Sequence, residues 1–84
     1  MNIVKVYAEG CGPCKVLDKM LQESNIEYKS VDIDSSEGEE LSLTHKIRGV
    51  PTLLILDDDN NLIRKKVGLF SSNEDLIKFI DEVN

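Results

Sequence analysis

The sequence predicts one α/β domain with seven elements in the order βαβαββα. Three observations carry this reading. A strand, a helix and a second strand fit within residues 3–33, two strands joined by a turn-forming run fit within residues 52–67, and helix starts are marked at residues 13, 35 and 71.

The first strand is Ile3 to Ala8 (Ile-Val-Lys-Val-Tyr-Ala), rich in β-branched and aromatic residues and ended by Gly10 and Gly12-Pro13. From Pro13 to about Ser24, Cys14, Leu17 and Leu21 recur at i, i+3 and i+7 with Met20 beside them, the stripe of an amphipathic helix. Pro13 suits its first turn, where a missing N–H removes no intrahelical bond. Tyr28 to Ile33 reads as a second strand, which completes a βαβ unit with a right-handed crossover.

Ser35 and Ser36 precede Glu37, Glu39 and Glu40, a capped helix start with acids at the positive end of its dipole, and that helix reaches about Lys46. Gly49 and Pro51 interrupt the chain before a strand from Thr52 to Leu56. The run Asp57-Asp58-Asp59-Asn60-Asn61 then turns it into an antiparallel strand from Leu62 to Val67. Ser71-Ser72-Asn73-Glu74 is a capping box for the last helix, with Leu76, Ile77, Ile80 and Val83 on one face. Phe70 and Tyr7 suit core positions at the sheet edges, and Leu69 an exposed apolar contact. No repeat or linker divides the chain, so residues 1–84 are expected to form a single domain.

Composition narrows the function. At 84 residues and 9.4 kDa there is room for one core, and 40% apolar residues suffice to fill it. A net charge of −6 and a pI near 4.6 repel phosphate-rich partners, so nucleic acid is not an expected ligand. The longest apolar run, Leu53-Leu54-Ile55-Leu56, is far shorter than the roughly 20 residues that cross a bilayer, so no membrane association is expected. The opening Met1-Asn2-Ile3-Val4-Lys5 reads as a strand, not a secretory leader, and two cysteines are too few for a disulfide scaffold. A reducing, cytoplasmic location is expected.

Those two cysteines carry the chemistry. Cys11-Gly12-Pro13-Cys14 lies where a strand gives way to a helix, so Cys11 caps the helix and Cys14 sits one turn inside it. Free N–H groups and the positive dipole end stabilise a thiolate there by about 0.3–1 kcal/mol when exposed and up to about 2 when partly buried. Cys11 is thus the expected nucleophile and Cys14 the shielded resolving thiol. The competing reading is half of a zinc site. Zinc takes four ligands, only His45 offers a soft third, and a complete site would need a second copy of the chain. His45 itself, near a helix end, is assigned no role. Asp57-Asp58-Asp59 lacks the spaced ligands of a calcium loop and reads as a solvated turn.

With these residues in place, the sequence resembles the thioredoxin family over nearly its whole length. Ala8-Glu9-Gly10-Cys11-Gly12-Pro13-Cys14 is similar to the family's active-site run, Lys46-Ile47-Arg48-Gly49-Val50-Pro51-Thr52-Leu53 to its second signature, and Val67-Gly68 to the glycine after its hairpin. The resemblance implies a thioredoxin fold. Its mixed four-stranded sheet has helices on both faces, with Ile3–Ala8 central, the first and third helices on one side and the second on the other. It also implies a cis Val50-Pro51 bond facing the cysteines, with Val50, Pro51 and Gly68 binding an extended substrate segment by strand addition.

The implied activity is that of a thiol-disulfide oxidoreductase acting on disulfide-containing proteins. No bound cofactor is expected beyond a redox-active Cys11–Cys14 pair, recharged by NADPH through a flavoprotein thioredoxin reductase. The rival within the same chemistry is a glutathione-dependent glutaredoxin, whose length this chain matches, since the extra amino-terminal strand and helix of full-size thioredoxins are absent. However, Val67-Gly68-Leu69-Phe70-Ser71 lacks the second glycine of a glutathione site, and Gly12-Pro13 is more similar to thioredoxins. Glutathione thus stands as an alternative partner, and a thiol-based metal-binding or carrier module as the alternative of another class. A monomer is expected.

Three positions depart from the family pattern. Gly10 stands where tryptophan usually precedes the first cysteine. Lys5 stands where a buried aspartate accepts the second cysteine's proton, and Ser30 stands at the accompanying lysine. The acceptor for Cys14 is thereby unassigned. Lys5 is expected to snorkel to water, with stabilisation of a thiolate through its charge as the alternative, and Glu9 is a candidate for proton shuttling.

Overall fold

The computed structural model describes residues 1–82. Its elements are β1 (Asn2–Tyr7), α1 (Gly12–Glu23), β2 (Lys29–Asp32), α2 (Ser36–His45), β3 (Thr52–Leu56), β4 (Leu62–Val67) and α3 (Asn73–Asp81). The strand order is β2-β1-β3-β4. β1 runs parallel to β2, with Val6 opposite Val31, and antiparallel to β3, with Lys5 opposite Leu53. β3 and β4 form the expected antiparallel pair. The expected order and the mixed sheet are both present.

β3 reads as an unbroken apolar run because both faces of the sheet are covered. All five of its residues are buried. Leu54 and Leu56 pack with Val4, Val6, Val31 and Ile47 on the side that Leu41 of α2 closes. Leu53 and Ile55 pack with Leu17 and Leu21 of α1 and Leu76 and Ile80 of α3 on the other. Alternation along β1 sends Val4 and Val6 to the α2 side and Ile3, Lys5 and Tyr7 to the α1 side. No helix among the described residues is long and apolar enough to cross a membrane.

Several details differ from the sequence reading. β2 is shorter, because the Asp34 N–H donates to the Asp32 carboxylate and turns the chain, although the Ile33 N–H still reaches the Tyr7 carbonyl at 2.8 Å. The cap of α3 is Ser72, whose hydroxyl accepts the Asp75 N–H at 3.1 Å, one residue later than the expected box. Ile77 is 40% exposed: Leu76 and Ile80 share a face at i and i+4, and the next residue is turned about 100° away. Val83 lies outside the described residues. Phe70 stacks obliquely on Phe79 at 5.3 Å against the α1–α3 layer, while Tyr7 belongs to an interior strand and not to a sheet edge.

α2 starts where Ser35 accepts the Gly38 N–H at 3.0 Å and donates its own hydroxyl proton to the Asp32 carbonyl at 2.6 Å. This presses the first turn of the helix onto the end of β2. A Cβ at Gly38 would overlap the Asp32 carbonyl oxygen and lie 2.8 Å from Ile33 Cα, both backbone atoms that cannot swing aside. Gly38→Ala is therefore expected to lower the unfolding free energy by about 1–3 kcal/mol. Urea denaturation checks this, and wild-type stability would show that the helix start can lift away without loss.

In the β3–β4 turn, Asp57 Oδ1 accepts the N–H groups of Asn61 and Asp59, each at 2.9 Å. The Asn61 hydrogen bond is the main cause holding this carboxyl below its ordinary 3.8. Since the folded chain favours the charged form, its stabilising contribution is complete above the ordinary value and is lost as pH falls through the lowered one. Asp57→Asn keeps an acceptor oxygen but does not titrate. Its stability is expected to decline less steeply than wild type between about pH 4 and pH 2, and parallel acid limbs in urea titrations would contradict this.

Candidate active site

β1 delivers the chain to Gly10, whose φ of +75° is a left-handed conformation that favours glycine. Cys11 follows as the N-cap of α1, with φ −83° and ψ 105°. Its Sγ accepts the Cys14 N–H at 3.1 Å, so the sulfur occupies the place of a capping oxygen. Gly12 and Pro13 form the first turn, where proline removes no needed donor. Cys11 and Cys14 are joined as a disulfide with their Cα atoms 5.3 Å apart. The two sulfurs differ in access: Cys11 is half-buried, whereas Cys14 is 3% exposed behind it.

The second predicted cluster lies at the same end of the sheet. Val6 at the end of β1 is opposite Thr52 at the start of β3, and Thr52 is opposite Val67 at the end of β4. Val50, Pro51 and Gly68 therefore sit together at the sheet end from which the chain leaves Tyr7 for the cysteines. The Val50–Pro51 bond is cis. Pro51 is buried and its carbonyl accepts the Gly68 N–H at 2.8 Å, while the Thr52 hydroxyl donates to the Gly49 carbonyl at 2.6 Å. Gly68 has φ +90°, and its exposed neighbours Val67 and Leu69 leave apolar surface around it.

Lys5 does not snorkel to water. It is 3% exposed, and its Nζ is ion-paired with Asp18 Oδ1. Its Nζ also lies 4.9 Å from the centre of the Tyr7 ring and 5.9 Å from that of Tyr28, both within cation–π range. Tyr28 donates its hydroxyl proton to the same Asp18 oxygen at 2.8 Å. Burial is the largest influence raising the Tyr28 phenol above its ordinary 10.0, with the Asp18 hydrogen bond and charge adding to it and a Gln22 hydrogen bond opposing it. The snorkelling expectation fails because Lys5 points to the α1 side of an interior strand, where the nearest available counter-charge is on the helix.

Asp18 and Tyr28 are the site residues that the sequence reading missed. The available signal was Asp18's place four residues after Cys14, on the same helical face. An open cavity of about 480 Å³ brings Lys5, Tyr7, Cys11, Cys14, Asp18 and Ser30 to one surface, with Glu9 on its rim. His45 lies elsewhere, in the last turn of α2. Among the described residues, no group of three or more His, Cys, Asp and Glu side chains is placed to hold a metal ion.

The thioredoxin family model matches residues 1–82. The SPbeta prophage-derived thioredoxin-like protein YosR of Bacillus subtilis is 30% identical over 74 residues, covering 88% of this chain and 89% of the relative. A thioredoxin from Mycoplasmoides gallisepticum is 32% identical over 75 residues, covering 86% and 74% respectively. Among solved structures, a mutant thioredoxin from Halobacterium salinarum NRC-1 superposes with a TM-score of 0.78 at 27% identity, over 96% of this chain and 72% of that one. A match over nearly the full sequence, carried by the same fold and by a Cys-x-x-Cys pair joined as a disulfide, makes this chain a member of the thioredoxin family, whose chemistry is thiol-disulfide exchange.

Proposed function

We propose that the protein reduces disulfides in other proteins, with Cys11 as nucleophile and Cys14 as resolving thiol. The observation that carries this is the unequal setting of the two sulfurs: Cys11 is the accessible N-cap of α1 and Cys14 is buried behind it. Helix N–H groups favour the Cys11 thiolate, the reactive form of the thiol. That thiolate attacks one sulfur of the substrate disulfide. A Cys11–substrate bond forms, the substrate S–S bond breaks, and the departing sulfur takes up a proton. Cys14 then loses its proton and attacks Cys11 Sγ, closing the Cys11–Cys14 bond and releasing the second substrate thiol. Two electrons have passed from the protein to the substrate.

Gly12 and Pro13 hold the turn in which both sulfurs meet. Val50, Pro51 and Gly68 provide the neighbouring backbone on which an extended substrate segment docks by strand addition, and exposed Val67 and Leu69 give it apolar contacts. The oxidised pair is returned to the dithiol by NADPH through a flavoprotein thioredoxin reductase, and the protein works as a cytoplasmic monomer. The support for a thioredoxin-type donor is the Gly12-Pro13 dipeptide and the family of the relatives.

Insulin reduction with dithiothreitol tests the assignments. Cys11→Ser is expected to abolish turnover. Cys14→Ser is expected to stall at a covalent mixed disulfide that is visible on a non-reducing gel. Full activity of the Cys11 variant would reverse the two roles or remove them. For the donor, NADPH consumption is expected with thioredoxin reductase and not with glutathione plus glutathione reductase; the opposite pattern would assign glutathione.

A further inference from the structure

Resolution of the mixed disulfide requires Cys14 to give up a proton in a place where its sulfur is nearly sealed from solvent. Lys5 stands beside it as a cation and cannot accept one. The carboxylate that answers Lys5 comes from a different element, α1 itself. Asp18 is one helical turn beyond Cys14 on the same face, and both residues line the same cavity. Lys5 and Tyr28 both donate to Asp18 Oδ1. Oδ2 makes no hydrogen bond to protein among the described residues and, with the side chain 34% exposed, remains open to the cavity.

Resting on the dithiol mechanism above, we infer that Asp18 is the proton acceptor for Cys14, with Lys5 and Tyr28 as the positioning residues that aim its free oxygen into the cavity. The Cys14 Sγ proton passes to Asp18 Oδ2 through one cavity water, a reach general bases commonly use. The Cys14 sulfur then bonds to Cys11 Sγ as the Cys11–substrate bond breaks. The released substrate thiolate recovers a proton from Asp18 or from solvent, which returns the carboxylate to its starting form. Other charged or titratable groups face this path: Lys5 and Tyr7 on β1, Glu9 in the turn, Lys15 on α1 and Tyr28 before β2. Of these, Glu9 is the competing acceptor, exposed on the rim and not held toward Cys14 by any hydrogen bond among the described residues.

Stopped-flow reaction of the reduced protein with 5,5′-dithiobis(2-nitrobenzoate) separates the steps. The first thionitrobenzoate released reports attack by Cys11, and the second reports resolution by Cys14. That leaving group departs without needing a proton, so the second phase isolates the thiol that attacks. Asp18→Asn is expected to lower the ratio of second to first release rates by about tenfold or more at pH 6.5. The deficit should fade above about pH 9, where solvent removes the thiol proton unaided. Asp18→Glu should recover part of the loss, and Glu9→Gln should match wild type.

Because Asp18→Asn leaves Lys5 without its partner, Lys5→Met/Asp18→Asn is run in parallel, with near-ultraviolet circular dichroism confirming a native fold. It should be as slow in the second phase. A wild-type ratio at pH 6.5 in either folded Asp18 variant, a deficit equally large at pH 9.5, or a loss seen with Glu9→Gln instead would overturn the assignment. Failure of the Cys11→Ser test on insulin would show separately that the underlying mechanism is at fault.

Discussion

Helix α1 must begin at Cys11, and the packing of its apolar stripe enforces that start. Leu17 and Leu21 are fully buried against Leu53, Ile55, Leu76 and Ile80, which fixes the rotation and height of the helix on the sheet. A shift of one residue along α1 would turn that stripe by about 100° and expose it. With the helix locked, the sulfur of Cys11 falls where a capping oxygen would be, and Cys14 falls inside the first turn. The unequal placement and access of two chemically identical side chains are therefore a product of the hydrophobic core.

The same lock brings Asp18 to Lys5. Burying an ammonium among apolar side chains costs several kcal/mol, and removing one partner of a fully buried pair costs about 3–5. Here the arrangement is asymmetric, with the lysine enclosed and the carboxylate reaching the surface. Two aromatic rings and one ion pair satisfy the cation. A charge of the opposite sign to the one expected at this strand position is thus accommodated without disturbing the βαβ unit around it.

Much of this was legible in the sequence. β3, β4 and the start of α2 follow directly from a continuous apolar run, a turn-forming acidic loop and a serine cap, each a signal carried by neighbouring residues. The cysteine pair and its cap geometry were equally local. What escaped was non-local. The fate of Lys5 depends on Asp18, 13 positions away, and on Tyr28, which reaches the same carboxylate from a different segment. Gly38 looks like an indifferent glycine in an acidic helix until the end of β2 is placed against it. The α3 cap lies one residue beyond the expected one, the usual margin at helix ends, because two serines in succession offer equivalent caps.

The order β2-β1-β3-β4 leaves the long strand β4 on the rim of the sheet. An uncovered rim strand is a template for a neighbouring molecule, and Leu62, Ile63 and Val67 would supply grease for such a contact. Between them the chain places Arg64, Lys65 and Lys66, three of only ten basic residues in a molecule whose net charge is −6. Two copies approaching rim to rim would bring these like-charged triplets face to face. On this border the exposed apolar residues of β4 are thus interleaved with cations, the pattern by which rim strands discourage edge-to-edge pairing.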